Sequence, residues 1–444
     1  MLLWWVLAHP SVFTSNPSFT LSTSGSLVAN GVSMSSVSDS LPSRAWLTVG
    51  LLWVVGCLNY LDRLMLITMR LSVKEDIPMT DAQFGLLTTV FLIVYAILSP
   101  LGGFIADRLS CSRTIIFSLL VWSAITWLTA HATTFPQLLF SRALMGFSEA
   151  CYLPAAAALI AKYHGNRTRS LANGIHLSGV MVGSGLGGLG GIIAEHYDWT
   201  LAFELFGAIG VIYAVVLIAL LRDPPRAPTN GASATGSRSD VRFGAAFVSL
   251  FRNRMFLLAL LFWGLLGVTS WSFSGWLPTF LTEKFSLPQG KAGIMATGFL
   301  SLGTLAGMIV AGVWADRWSR HRPEGRALVG IIGLAVCIPC VLIVANVGVL
   351  PMVVGALVLF GLTRAFPDTN MMPILFGIVD ERYRATAYGV LNAMATIFGG
   401  VTIYIGGVLR DARVDITTVF YAGTAGMVLC AGLLWIIRPR VTTD

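Results

Sequence analysis

SRALMGFSEACYLP, residues Ser141–Pro154, decides how the rest of the chain is read. It lies inside an apolar run from about Pro136 to Ala161, long enough for the roughly 20 residues a bilayer-crossing helix needs. Yet Arg142 and Glu149 stand well inside its ends. Seven positions is two helical turns, so both project from one face. A charge among lipid tails costs about 2.5–3.5 kcal/mol even on lenient insertion scales, and persists where it meets a partner or a watery cavity. The face carrying Arg142 and Glu149 is therefore expected to line a transport pathway.

Composition agrees. Of 444 residues, 55% are hydrophobic and 11% are charged. Mean hydropathy is +0.77. Soluble domains carry about 25% charged residues, so the chain reads as a polytopic all-α membrane protein. Its formal charge of +8 does not indicate a nucleic-acid partner. The basic residues sit in short loops between apolar runs, as the positive-inside rule requires. Five of the six cysteines, Cys57, Cys151, Cys337, Cys340 and Cys430, fall in apolar runs, and Cys111 stands at a helix start. They read as small hydrophobes and not as a metal or redox site.

Twelve spans are expected, at about 45–70, 82–106, 113–131, 136–161, 169–194, 200–221, 254–281, 291–315, 327–345, 350–376, 385–408 and 416–437. With the N-terminus placed in the cytoplasm, twenty Lys and Arg fall on the cytoplasmic side and six on the other, so both termini are expected inside. Residues 1–44, apolar at Met1–Leu7 and Ser/Thr/Asn-rich from there to Ser43, form a lead that is expected to be disordered or to begin upstream of the true start. Met34 opens a more conventional start. The Pro-, Gly- and Ser-rich stretch 222–253 reads as a cytoplasmic linker between six-helix bundles at 45–221 and 254–438, with a tail at 439–444.

The halves are related by duplication. Gly103-Phe-Ile-Ala-Asp107-Arg108 after span 2 matches Gly312-Val-Trp-Ala-Asp316-Arg317 after span 8, an offset of 209 residues. Arg167-Thr-Arg169 before span 5 matches Arg382-Tyr-Arg384 before span 11, an offset of 215. Paired halves with a site between them are a secondary-transporter plan.

The Gly-x-x-Ala-Asp-Arg loop, followed by Arg113 and repeated in the second half, resembles the loop signature of the major facilitator superfamily. The resemblance covers nearly the whole chain after residue 44. One departure is Ser110, where that family commonly has Gly. The resemblance implies a fold of two pseudo-symmetric six-helix bundles. It also implies that Asp107, Arg108, Arg113, Asp316 and Arg317 hold an inner gate; otherwise these charges only set topology. Asn59-Tyr-Leu-Asp62-Arg63 and Arg142-x-x-x-Gly146-x-x-Glu149 look like the anion:cation symporter branch and like the spinster-like branch. Val182-Gly-Ser-Gly-Leu-Gly187 leans towards the latter.

Six ionisable groups lie within spans, Asp62, Arg63, Arg142, Glu149, Arg364 and Asp368, and their charges cancel. An anion that pairs with Arg63 leaves one negative charge uncompensated. Glu149 is the cheapest group to neutralise, since burial favours the protonated carboxyl. Anion binding and proton uptake are then coupled, with Glu149, Asp62 and Asp368 as proton-coupling residues. The bland alternative is a salt bridge from Glu149 to Arg63 or Arg142 that merely holds helices together. Arg364 and Asp368 can pair at i,i+4, beside Pro367, which frees backbone carbonyls. Further substrate-binding candidates are Asn59, Tyr60, Arg142, Tyr152, His176, Trp271 and Asn392. For His176 and Trp271, plain packing or interface anchoring is the alternative. The glycines from Gly183 to Gly191 read as close helix packing or a rocking helix. No phosphate-cradling GxxxxGK[ST] motif occurs.

The expected protein is a proton-coupled organic-anion symporter, with a sugar acid as cargo. It is expected to be a monomer in the inner or plasma membrane, working by alternating access and without cofactor or metal. A spinster-like lysolipid exporter is the rival, and a transport-dead nutrient sensor is a different class. No activated nucleophile points to an enzyme.

Overall fold

The computed structural model describes residues 44–108, 110–165, 168–224 and 243–438, with backbone alone at 101–108, 243–247 and 385. The expected N-terminal lead, apart from Arg44, and the tail at 439–444 lie outside the described residues.

Twelve helices are long and apolar enough to cross a membrane, and no strand occurs among the described residues. The first is α1 (Arg44–Thr68), followed by the short α2 (Arg70–Asp76), α3 (Asp81–Arg108) and α4 (Cys111–Thr129). The fourth span is two helices, α5 (Phe135–Glu149) and α6 (Tyr152–Tyr163). The fifth is α7 (Arg169–Leu186) and α8 (Gly188–His196), and α9 (Trp199–Leu220) closes the first half. The second half holds α11 (Arg254–Phe285), α12 (Gln289–Ser319), α13 (Gly325–Asn346), α14 (Leu350–Ile378), α15 (Arg384–Asp411) and α16 (Ile416–Ile437). Every span falls within about five residues of its expected place.

Two details differ from the sequence reading. The fourth span breaks just after Glu149. Pro154 has no N–H to give the carbonyl of Ala150, so one rung of the ladder is lost there. The stretch expected to be only a linker contains α10 (Phe243–Arg252), an apolar segment whose Leu250 is buried. Residues 225–242 lie outside the described residues.

Within the first half α1 packs on α7, α4 on α9, and α3 on α5. In the second, α12 and α13 pack on α14, and α11 on α15 and α16. The halves meet along two crossings, α3 with α15 and α8 and α7 with α12. Glycine makes the closest approaches. A Cβ on Gly183 would lie 2.0 Å from the carbonyl oxygen of Cys57, and one on Gly188 would lie 2.6 Å from Ile294 Cα. The Gly183–Gly191 run is thus a packing surface against α1 and α12.

Among the described residues, the hydrogen bonds that join the halves all lie at mid-height or towards the end bearing Asp81. There Asp81 takes Arg70, Lys74 (2.5 Å) and, from the other half, Arg410 (2.9 Å). Arg410 also grips Glu283 with both terminal nitrogens, at 2.9 and 2.6 Å. Gln289 reaches across to Ser72.

Candidate functional site

The charged residues of the first half gather in its interior. Arg63 on α1 donates from Nη2 to Glu149 Oε2 on α5 at 2.9 Å, with the side chains 3% and 0% exposed. The rings of Tyr60, Phe91 and Tyr95 surround the guanidinium, each with its centroid 4.5–4.8 Å away. Each ring face attracts the cation by cation–π contact. Arg142, also buried, lies over the Phe91 ring at 5.2 Å and reaches Met145 Sδ at 3.1 Å. Asp62 accepts from Thr126 at 3.5 Å. Two acids and two bases thus make a neutral buried cluster.

The cluster has spare hydrogen-bonding capacity. Asp62 Oδ1, Glu149 Oε1, both amide atoms of Asn59, and Arg142 Nε and Nη2 are buried without a partner among the described residues. An unmet buried polar atom costs about 1–3 kcal/mol, so the arrangement is held at some expense. Either carboxylate can accept a proton on a free oxygen without losing an existing bond.

Glu149 was expected on a face lining the pathway, and Arg63 as the residue that takes the anion. In this conformation they face each other and the aromatic rings instead, because the guanidinium finds its counter-ion inside its own half. The buried pair foreseen as the bland alternative is therefore present. Tyr152 and His176 are likewise enclosed. The Tyr152 hydroxyl donates to Leu52 O at 2.9 Å and lies 2.8 Å from His176 Nε2. Trp271 is half-buried against α15, where a Cβ on Gly399 would come 2.2 Å from its ring. Asn392 is half-buried and Tyr60 partly exposed.

Between the halves lies a cavity of about 200 Å³. Its polar wall is Ser184, Ser270, Ser274, Thr297, Ser301 and Thr304, and Arg364 is the one cation among the described residues lining it. Arg364 pairs with Asp368 at 2.7 Å on the same helix face, with side chains 12% and 40% exposed. Ser270 steadies the guanidinium by accepting from Nε at 2.8 Å and from Nη2. Leu64, Ile67, Met181, Leu300 and Phe360 supply an apolar wall. Of the expected substrate and coupling residues, only Arg364 and Asp368 line this space.

The sequence reading missed the hydroxyls and the Asp81–Arg410–Glu283 network. A signal for the former exists: Ser270 and Ser274, and Thr297 and Ser301, are each spaced by four, one helical face.

The expected inner-gate residues lie at the end opposite Asp81. The side chains of Asp107 and Arg108 lie outside the described residues. Arg113 is exposed, and its backbone N–H donates to Ser110, which also bonds Asp223. So the Ser that departs from the usual Gly caps α4. Asp316 pairs with Arg326 of its own half at 2.6 Å, and Arg317 is exposed.

Twelve spans in two contacting halves, with a polar cavity between them, define a membrane transporter. Residues 52–338 match the Major Facilitator Superfamily, and the chain belongs to that family. It is 26% identical over 425 residues to an MFS-type efflux pump of Mycolicibacterium smegmatis, covering 91% of this chain and 95% of that one. It is 28% identical to human protein spinster homolog 3, with 84% and 78% covered. To the hexuronate transporter of Bacillus subtilis it is 24% identical, with 88% and 94% covered. The fold matches the crystal structure of a bacterial homolog of the human lysosomal transporter spinster, in an inward-facing and occupied conformation. That match has a TM-score of 0.73 at 20% identity and covers 90% of this chain and 99% of that one.

Proposed function

We propose that this transporter carries a small hydroxylated organic anion, such as a sugar acid, together with protons. The observation that carries the reading is the single guanidinium, Arg364, set among six hydroxyls in the cavity between the halves. A carboxylate matches a guanidinium fork, and hydroxyls along one helix face suit a polyol.

Coupling follows from charge balance. Asp368 already neutralises Arg364. A substrate carboxylate that takes Arg364 leaves Asp368 uncompensated, and proton uptake by Asp368 restores neutrality. Glu149 and Asp62, with free carboxylate oxygens beside Arg63 and Arg142, are the second proton-coupling site. Their contact with the cavity requires a conformation in which the first half has repacked. Asp107, Arg108, Arg113, Asp316 and Arg317 are assigned to the inner gate.

The distribution of Lys and Arg supports a protein of the inner or plasma membrane with both termini in the cytoplasm. The closed Asp81 end is then external. The two bundles, 45–221 and 254–438, are assigned as the bodies that rock, with the chain acting as a monomer.

A second reading is lysolipid export, favoured by the apolar wall of the cavity and by the likeness to spinster proteins. Purified protein in liposomes with an imposed inward proton gradient separates the two. Accumulation of labelled hexuronate or hexonate above equilibrium supports symport. Lysophospholipid efflux with no sugar-acid accumulation overturns it.

A further inference from the structure

At the Asp81 end two carboxylates hold matching positions. Asp411, the last residue of α15, accepts the backbone N–H of Asp81 at 2.8 Å and of Ala82 at 2.9 Å. These are the first two residues of α3, in the other half. Glu195, near the end of α8, accepts the backbone N–H of Gly290 at 2.8 Å. Gly290 is the second residue of α12, again in the other half. The first N–H groups of a helix have no partner within it, and its start favours negative charge. Each acid therefore caps a helix that its own half does not contain.

The two caps are copies of one another. Asp81 and Gly290 are 209 residues apart, the offset that relates Gly103 to Gly312. Glu195 and Asp411 are 216 apart, within one residue of the Arg167–Arg382 offset. Neighbouring contacts repeat as well. Thr297 Oγ1 donates across to Gly185 O at 2.9 Å, and Thr89 Oγ1 donates across to Gly400 O at 2.6 Å. A Cβ on Gly407 would meet Asp81 O at 2.3 Å, and one on Gly191 would meet Gln289 O at 3.0 Å. Bare backbone at these glycines lets the helix ends come close enough to be capped.

We propose that Glu195 and Asp411 are a matched pair of gate residues that latch this end shut, and that both caps break each time the end opens. A cap between helices of one rigid body would only stabilise the fold. These caps bridge the two bodies that alternating access must separate, so the inference rests on the transporter reading.

Spin labels on Glu75 and Arg413, exposed residues of opposite halves at this end, test it by pulsed electron paramagnetic resonance. All six native cysteines are replaced first. Glu195→Ala or Asp411→Ala should each raise the long-distance population about fivefold, and the pair about 25-fold if they act independently. Glu195→Gln with Asp411→Asn keeps one oxygen acceptor at each position, loses the charge and the second acceptor of Asp411, and should shift the population at least twofold. Folded alanine variants with the unaltered distance distribution overturn the latch. If the alanine variants do not fold, an unaltered distribution in the Gln/Asn variant overturns it. The measurement needs no substrate. A latch that releases in a protein that moves nothing would leave the caps standing and sink the transporter reading instead.

Discussion

Arg63 and Glu149, 86 residues apart in the chain, meet at 2.9 Å inside the first half, and neither side chain lines the central cavity. Glu149, one of the two charges in a membrane helix that first pointed to transport, is thus paired and shut away in this conformation. A proton on Glu149 would weaken the pair and let Arg63 move.

Glu149→Gln keeps the shape of the side chain and removes its charge and its ability to titrate. Substrate exchange should persist, while proton-driven accumulation in liposomes falls to the level without a gradient. Accumulation equal to the unmodified protein would remove Glu149 from the coupling mechanism. Glu149→Ala is expected instead to lower thermal stability by about 3–5 kcal/mol, since it strands a buried guanidinium.

Arg364→Ala should raise the KM for an anionic substrate by roughly tenfold to a hundredfold, from a lost charge-assisted hydrogen bond of about 1.5–3 kcal/mol. Ser270→Ala leaves the guanidinium in place but unsteadied, and should raise KM several-fold with little change in maximal rate. Transport assays across substrate concentration check both. A lysolipid cargo bound by the apolar wall would respond weakly to either.

Asp368→Asn releases Arg364 from its helix partner. Affinity for the anion should rise about twofold, the scale of a partly exposed i,i+4 pair. Binding titrations on purified protein read this out, and unaltered affinity would show that Asp368 does not compete with the substrate for Arg364.

Two glycines of α7 should respond in opposite ways. Gly183→Ala forces a Cβ to within 2.0 Å of a backbone oxygen of α1, which cannot give way alone. It should cost about 1–3 kcal/mol and lower the melting temperature. Gly174→Ala meets nothing within 4 Å and should be neutral or stabilise by up to about 1 kcal/mol through helix propensity.

Much of this protein was legible in the amino-acid string. A bilayer imposes helices of a set length and lets a charge inside them stand out, so Arg63, Glu149, Arg364 and Asp368 could be picked out singly. The i,i+4 pairing of Arg364 with Asp368 was visible because both lie on one helix. The hydroxyls of the cavity were not, because Ser and Thr in a membrane helix bond their own backbone as readily as a ligand. Ser270 matters only because α14 brings Arg364 to it.

The sequence by itself determined the twelve spans, the duplication and the family, since burial in lipid and helix period are properties of local runs of residues. Only the tertiary structure decided which charges meet. It enclosed Arg63 and Glu149 in one half, left Arg364 facing the cavity, and set Glu195 and Asp411 on helix ends of the opposite half. Those facts depend on which helices pack together, and pairings between distant positions leave no mark on the period of either segment.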